Sequence, residues 1–212
     1  MKRVVSVMAL LAASLTYAET TPVMLSLVTP LQVPSEDYDV KGLRLSLIYG
    51  DCANFTGLDI GVANRTRGEY TGLAIGGVNI AEGRLHGGQV GLINWDGNSA
   101  TSWENRSIGA QVGIFNHADM FCGLQDGVFN LAEGEFTGLQ TSFLNCTRDL
   151  RGVQCGWYFL LGVNIANGTV HGCQVGLVNY AETMESGCQI GFINIISHNG
   201  WTPVFPIVNG SF

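Results

Sequence analysis

The residues with most chemical reach in this chain are six cysteines, four histidines and one polar strip. The strip is Asp126, Thr141 and Cys155, at spacings of 15 and 14 residues. A cysteine beside a carboxylate and a hydroxyl could act as a nucleophile, or the three could hold a small polar ligand. No base for Cys155 is identifiable. Cys173 and Cys188, also 15 apart, are candidates for a disulfide rather than for catalysis. No C-x-x-C pair occurs, and the cysteine spacings do not resemble a zinc site. His86 and His171 each precede a regularly spaced glycine and read as exposed decoration. His117 and His198 fall in expected turns with no partner at metal-ligand spacing. Serine-histidine-aspartate, phosphate-loop, dinucleotide-binding and calcium-loop patterns are missing, so the sequence implies no catalytic set, cofactor or metal.

What positions these residues is a repeat. Gly42, Gly57, Gly72 and Gly87 are each 15 apart; Gly109, Gly123, Gly138 and Gly152 follow at 14, 15 and 14; Gly172 and Gly187 are again 15 apart. A fixed short period means one small unit stacked many times. Take each glycine as position zero. Position +2 reads Arg44, Asp59, Ala74 and then Gln89, Gln111, Gln125, Gln140, Gln154, Gln174, Gln189. Position +4 is nearly all glycine, and +7 is mostly asparagine, with Tyr49 and Phe159 as exceptions. Positions +1, +3 and +5 are apolar; Asp126, Thr141 and Cys155 are the breaks at +3.

Alternation of apolar and polar positions marks a strand with one buried face. The apolar columns are the expected interior, which would carry the polar strip across the core. Apolar residues at both +5 and +6 imply a bend there, and asparagine suits the left-handed backbone of a turn. No helical period is present. The pattern predicts an all-β repeat protein, a parallel β-solenoid of about ten 15-residue coils, in which glutamine and asparagine form amide ladders. An antiparallel meander or barrel is the alternative. Its outward apolar band would be short for a bilayer, where strands of about 9–11 residues are needed. If neighbouring coils are in register, Cys173 and Cys188 come within bridging range.

Residues 1–18 read as a signal peptide: Lys2 and Arg3, the apolar run Val4 to Leu15, and Ala18 before Glu19. Residues 19–39 form an N-terminal segment or cap, 40–199 the repeat array and 200–212 a C-terminal cap. The apolar run is too short to cross a bilayer as a helix, and no other stretch is long enough. Without Lys2 and Arg3, eight basic residues face 17 acidic ones, a net charge of −9. That argues against nucleic acid or an anionic lipid surface as partner. Two interruptions break the ruler, Asp96 to Arg106 and Tyr158 to Thr169; the first reads as a surface loop and the second as a degenerate extra unit.

The repeated G-h-Q-h-G-h-h-N (h, apolar) over about residues 40–199 resembles the surface-repeat proteins first described from Leptospira and widespread in Gram-negative gut bacteria. The run Trp201 to Val208 resembles that family's usual end. The resemblance implies an exported protein of the cell surface, outer membrane or periplasm, and carries no catalytic residues across. The expectation is a non-enzymatic protein presenting loops or a flat β face to a protein or glycan partner. An outer-membrane-associated barrel and a solenoid enzyme acting on polysaccharide are the alternatives. Against the enzyme, no column stacks Asp or Glu over adjacent coils.

Overall fold

A computed structural model describes residues 19–99, 102–157 and 161–212. The signal segment 1–18 lies outside them. The strands are β1 (Thr20–Val28), β2 (Leu31–Val33), β3 (Asp39–Cys52), β4 (Phe55–Thr66), β5 (Tyr70–Ala81), β6 (Leu85–Asp96), β7 (Ser107–Ala118), β8 (Phe121–Ser142), β9 (Leu144–Gly156), β10 (Val163–His198) and β11 (Val204–Ser211). From β1 and β3 through β10, neighbours pair in parallel, glycine on glycine: Gly42 with Gly57, Gly72 with Gly87, Gly109 with Gly123. The chain is a parallel β-solenoid of about nine turns and not a barrel. Ten glycine marks correspond to nine steps between them.

The repeat glycine is dictated by the stack. Gly57 has φ +136°, and a Cβ there would fall 2.0 Å from the Gly42 carbonyl oxygen on the coil beneath. Any side chain at this position would drive adjacent coils apart, so the 15-residue period is a steric one. The second glycine, at +4, clears a different obstacle. At Gly76 a Cβ would meet the Gly61 carbonyl and the Asn64 side-chain nitrogen at 2.4 and 2.8 Å.

The interior is the reverse of the alternation-based expectation. Positions +2 and +7, glutamine and asparagine, point inward and are buried, whereas +1, +3 and +5 point outward. The sequence therefore hides its amides and shows its leucines. The parity that carries Gly, Gln and Gly is the crowded one, because at both glycines a Cβ would meet the backbone carbonyl of the glycine on the neighbouring coil. Each glutamine donates from Nε2 to Oε1 of the one before, Gln111 to Gln89 at 2.9 Å and Gln125 to Gln111 at 2.7 Å, continuing to Gln189. The asparagines run the other way: Asn64 donates to Asn79 at 3.1 Å and Asn79 to Asn94 at 3.0 Å, continuing to Asn194. A buried amide is tolerated only when its donors and acceptors are matched, and a stack of identical amides matches them coil after coil.

Those asparagines are not in left-handed turns; among the described non-glycine residues only Asn199 and Ile207 have positive φ. They are strand residues whose second N–H ties the bend to a backbone carbonyl of the next coil, as Asn79 does to Val90 at 3.1 Å. Asn164, paired with Asn145, fills the ladder place that spacing alone assigns to Phe159. The second interruption is therefore an insertion within one coil and not an extra coil. Phe159 itself lies outside the described residues.

Apolar packing occupies the rest of the interior. The −2 column stacks Val40, Phe55, Tyr70, Leu85, Phe121, Phe136, Leu150 and Val170, opposite small groups such as Ala81, Ala118, Ala132, Ala166 and Ala181. The Phe55 and Tyr70 rings lie 5.1 Å apart and nearly parallel. Where the glutamine ladder has not yet begun, Arg44 and Asp59 take its place as a buried pair (Nε to Oδ1 2.9 Å, Nη2 to Oδ2 2.5 Å). Burial opposes the charge on Arg44, and Asp59 more than offsets it, so the guanidinium pKa lies above its ordinary value.

Both ends are closed by reversal of strand direction. β2 returns antiparallel to β1, and β11 antiparallel to β10. The segment 19–39 thus contributes β1 as an additional parallel strand in register with β3, plus a short edge hairpin. Short edge strands containing or flanked by prolines (Pro30, Pro34, Pro206) leave little for another chain to pair with.

Candidate binding face

Because +1, +3 and +5 point outward, aliphatic side chains form one continuous surface across successive coils. Its members include Leu45 and Leu47 on β3, Leu58, Ile60 and Val62 on β4, Leu73 and Ile75 on β5, Val90 and Leu92 on β6, and Val112 and Ile114 on β7. Ile75, in the middle, is 42 % exposed. Exposed apolar patches on soluble monomers seldom exceed a few hundred Å² and, when larger, mark contact surfaces. From β1 to β7 these three columns hold no charged residue.

At the N-terminal end the surface deepens into a groove of about 1030 Å³. The hairpin segment Pro30 to Val33 forms one wall, and Leu25, Leu47, Ile60, Val62 and Ile75 line the floor and the far side.

Of the polar strip, Asp126 and Thr141 are half-buried on the side of this face, whereas Cys155 is buried. Thr141 Oγ1 donates to Asp126 Oδ1. Thr141 is in register with Cys155 on β9. The Cys155 thiol is directed at its neighbour's carbonyl, Gly156 O, at 3.5 Å. Burial pushes its pKa up, the opposite of what activates a thiol nucleophile. The strip interrupts the aliphatic columns over three coils. Cys173 and Cys188 occupy the +1 column further on, as thiols with Sγ atoms 3.1 Å apart. Desolvation and the Cys173 thiol push Cys188 up to about 11.

His117 is not in a turn. It lies on β7, 5 % exposed, its ring stacked on Trp95 at 3.7 Å, with Nε2 3.2 Å from Glu133 Oε1. His198 ends β10, and His86 and His171 are on the outer surface, half-buried and exposed. Among the described residues no group of three or more His, Cys, Asp or Glu is placed to hold a metal ion.

Two features escaped the sequence reading. Glu135 and Asp149 are stacked in register on adjacent coils, so carboxylates do meet, at a polar pocket of about 440 Å³ that also includes Arg151, His171 and Glu185. Each lies three residues before a repeat glycine, Gly138 and Gly152, so the spacing did place them in one column; the mixed residues elsewhere in that column (Asn54, Glu69, Arg84, Met120) obscured the pair. Both carboxylates already have partners: Glu135 pairs with Arg151, and Asp149 accepts the Thr169 N–H at 2.8 Å. The second feature is Asp96, which occupies the column of Ala81 and Ala118, fully buried, where the first inserted loop leaves the coil. Its Oδ1 accepts the Asn98 N–H at 3.2 Å and its Oδ2 has no hydrogen-bond partner among the described residues. Desolvation pushes its pKa up to about 7.

Searches against protein-family models, curated proteins and solved structures found no match to this chain.

Proposed function

We propose that this chain is an exported, non-enzymatic repeat protein of a Gram-negative cell surface, outer membrane or periplasm, which presents its flat aliphatic face for binding. The observation that carries the reading is the outward aliphatic face itself. A soluble array has no need to expose leucine and isoleucine coil after coil while it buries glutamine and asparagine. Selection for a contact surface accounts for both halves of that pattern. Residues 1–18, with their charged start, apolar run and small residue before Glu19, supply the export route. The repeat motif and its resemblance to the Leptospira-type surface-repeat proteins support the same location. No helix among the described residues is long and apolar enough to cross a membrane. A protein or glycan at the cell surface is the class of partner, with the loop at 96–106 as a second place of contact.

The test is expression of the full chain in a Gram-negative host, with mass analysis of its N-terminus and fractionation of the cells. The expected product begins at Glu19 and is recovered with the envelope or periplasm. Replacing Ile60 and Ile75 by aspartate should leave export and thermal melting unchanged and release the protein from its envelope partner. A cytosolic chain that retains residues 1–18 overturns the location. Unchanged retention of the double variant overturns the role of the face.

A further inference from the structure

We infer that the aliphatic half of this face docks against the same half of a second copy of this chain. The inference rests on the reading of the face as a binding surface and names its partner. Four observations support it.

The size fits. The uncharged part spans the six strands β1 and β3 to β7, about 29 Å at the usual strand spacing, and about 20 Å across the three outward columns. That is roughly 600 Å² on each copy, or roughly 1,200 Å² in total, at the lower end of stable specific interfaces. The groove beneath Pro30 to Val33 adds depth at one end.

The period fits too. The leucines, isoleucines and valines recur at the strand spacing, so the matching surface is another β-sheet with the same spacing. Two sheets stacked face to face about 10 Å apart interdigitate such rows. An isologous two-fold arrangement turns the surface onto itself and closes.

Charge selects among the apolar partners. The net charge of −9 for residues 19–212 disfavours anionic membranes, which apolar faces usually approach with lysine and arginine on their flanks. Between copies, repulsion is kept off the interface, because the three columns from β1 to β7 carry no ionisable group. Asp126 marks where the uncharged surface stops.

Finally, the ends are closed. The antiparallel β2 and β11 block addition of coils at either edge, so association by the face is the route left open, and it ends at two copies.

The experiment is sedimentation velocity on the purified protein over a hundredfold range of concentration, beside flotation with phosphatidylcholine vesicles. Three forms are compared: the unaltered chain, Ile60→Asp with Ile75→Asp, and Ile190→Asp with Phe192→Asp on the far half. The expected result is a dimer weakened at least tenfold by the first pair and unaffected by the second, with circular dichroism unchanged. If the aspartate pair does not fold, Ile60→Thr with Ile75→Thr keeps the β-branched shape and removes apolar area, and the same weakening is expected. A monomer at every concentration overturns the dimer. If that monomer floats with vesicles and the Ile60 and Ile75 variant does not, the face is a binding surface for lipid and only the partner was wrong. If it neither associates nor floats, and the face variants change nothing, the reading of the face falls as well.

Discussion

Replacing Asn79 by alanine tests the inside-out arrangement most directly. Asn79 is fully buried. It donates to Asn94 Oδ1 at 3.0 Å and to Val90 O at 3.1 Å, and accepts from Asn64 Nδ2 at 3.1 Å. The substitution deletes three hydrogen bonds and strands partners on two neighbouring coils where the next amide cannot reach. A net bond is worth about 1 kcal/mol and an orphaned buried group about 1–3 kcal/mol. The expected loss is therefore about 3–5 kcal/mol. The control is Ile75→Ala on the opposite parity. A fully buried isoleucine would cost about 2–5 kcal/mol on such truncation, but Ile75 is already 42 % exposed, so about 1 kcal/mol is expected. The assay is urea unfolding followed by circular dichroism at two protein concentrations, which separates loss of association from loss of fold. If Ile75→Ala costs as much as Asn79→Ala at the lower concentration, the leucine face is the core and the reasoning is refuted.

Other perturbations probe other links. Asp59→Asn leaves Arg44 charged and buried without its carboxylate, and a loss of about 3–5 kcal/mol is expected in the same unfolding assay. Folded Asp96 holds its proton up to about pH 7, whereas an unfolded aspartate releases it near pH 4. Between those values the native state binds more protons than the unfolded one, so stability falls as pH rises from about 4 to about 7, by up to about 4 kcal/mol from this residue. Asp96→Asn should therefore match the unaltered protein at pH 4 and exceed it at pH 8; equal stability at both would show that Asp96 is not desolvated. Gly57→Ala places a methyl group against the Gly42 carbonyl, and thermal melting should drop by more than the same change at Gly77, which lies on the outer face at +5 with φ in the ordinary range. Cys173 and Cys188, on the outer face with Sγ atoms 3.1 Å apart, should form a disulfide when the protein is exported to an oxidising compartment. Mass analysis after alkylation without reductant should show these two unlabelled, and labelling of both would refute the pairing.

The repeat, its strand character and its period were all legible in the sequence. The spacing of Gly42 through Gly187 required identical coils, and the unbroken glutamine run from Gln89 to Gln189 required identical environments. The direction of the side chains was not legible. Hydrophobicity alone puts Leu58, Ile60 and Val62 inside, since burial of apolar area is the usual driving force. The glycines and glutamines carried the opposite signal: they share one parity, in which a Cβ at the glycine would meet the carbonyl of the neighbouring coil and the glutamines bond one another out of water. Deciding between the two signals takes the approach of one coil to the next, which is a property of the folded stack. The same holds for the candidate sites. Asp126, Thr141 and Cys155 could be placed in one column from sequence, and so could Cys173 and Cys188. That Asp126 and Thr141 face outward while Cys155 is buried is a property of the folded stack, and that Asn164 and not Phe159 completes the ladder depends on where the second insertion shifts the register. Local chemistry determined the repeating unit; tertiary stacking decided which of its two faces meets the world, because only stacked coils bring the amides close enough to satisfy one another away from water.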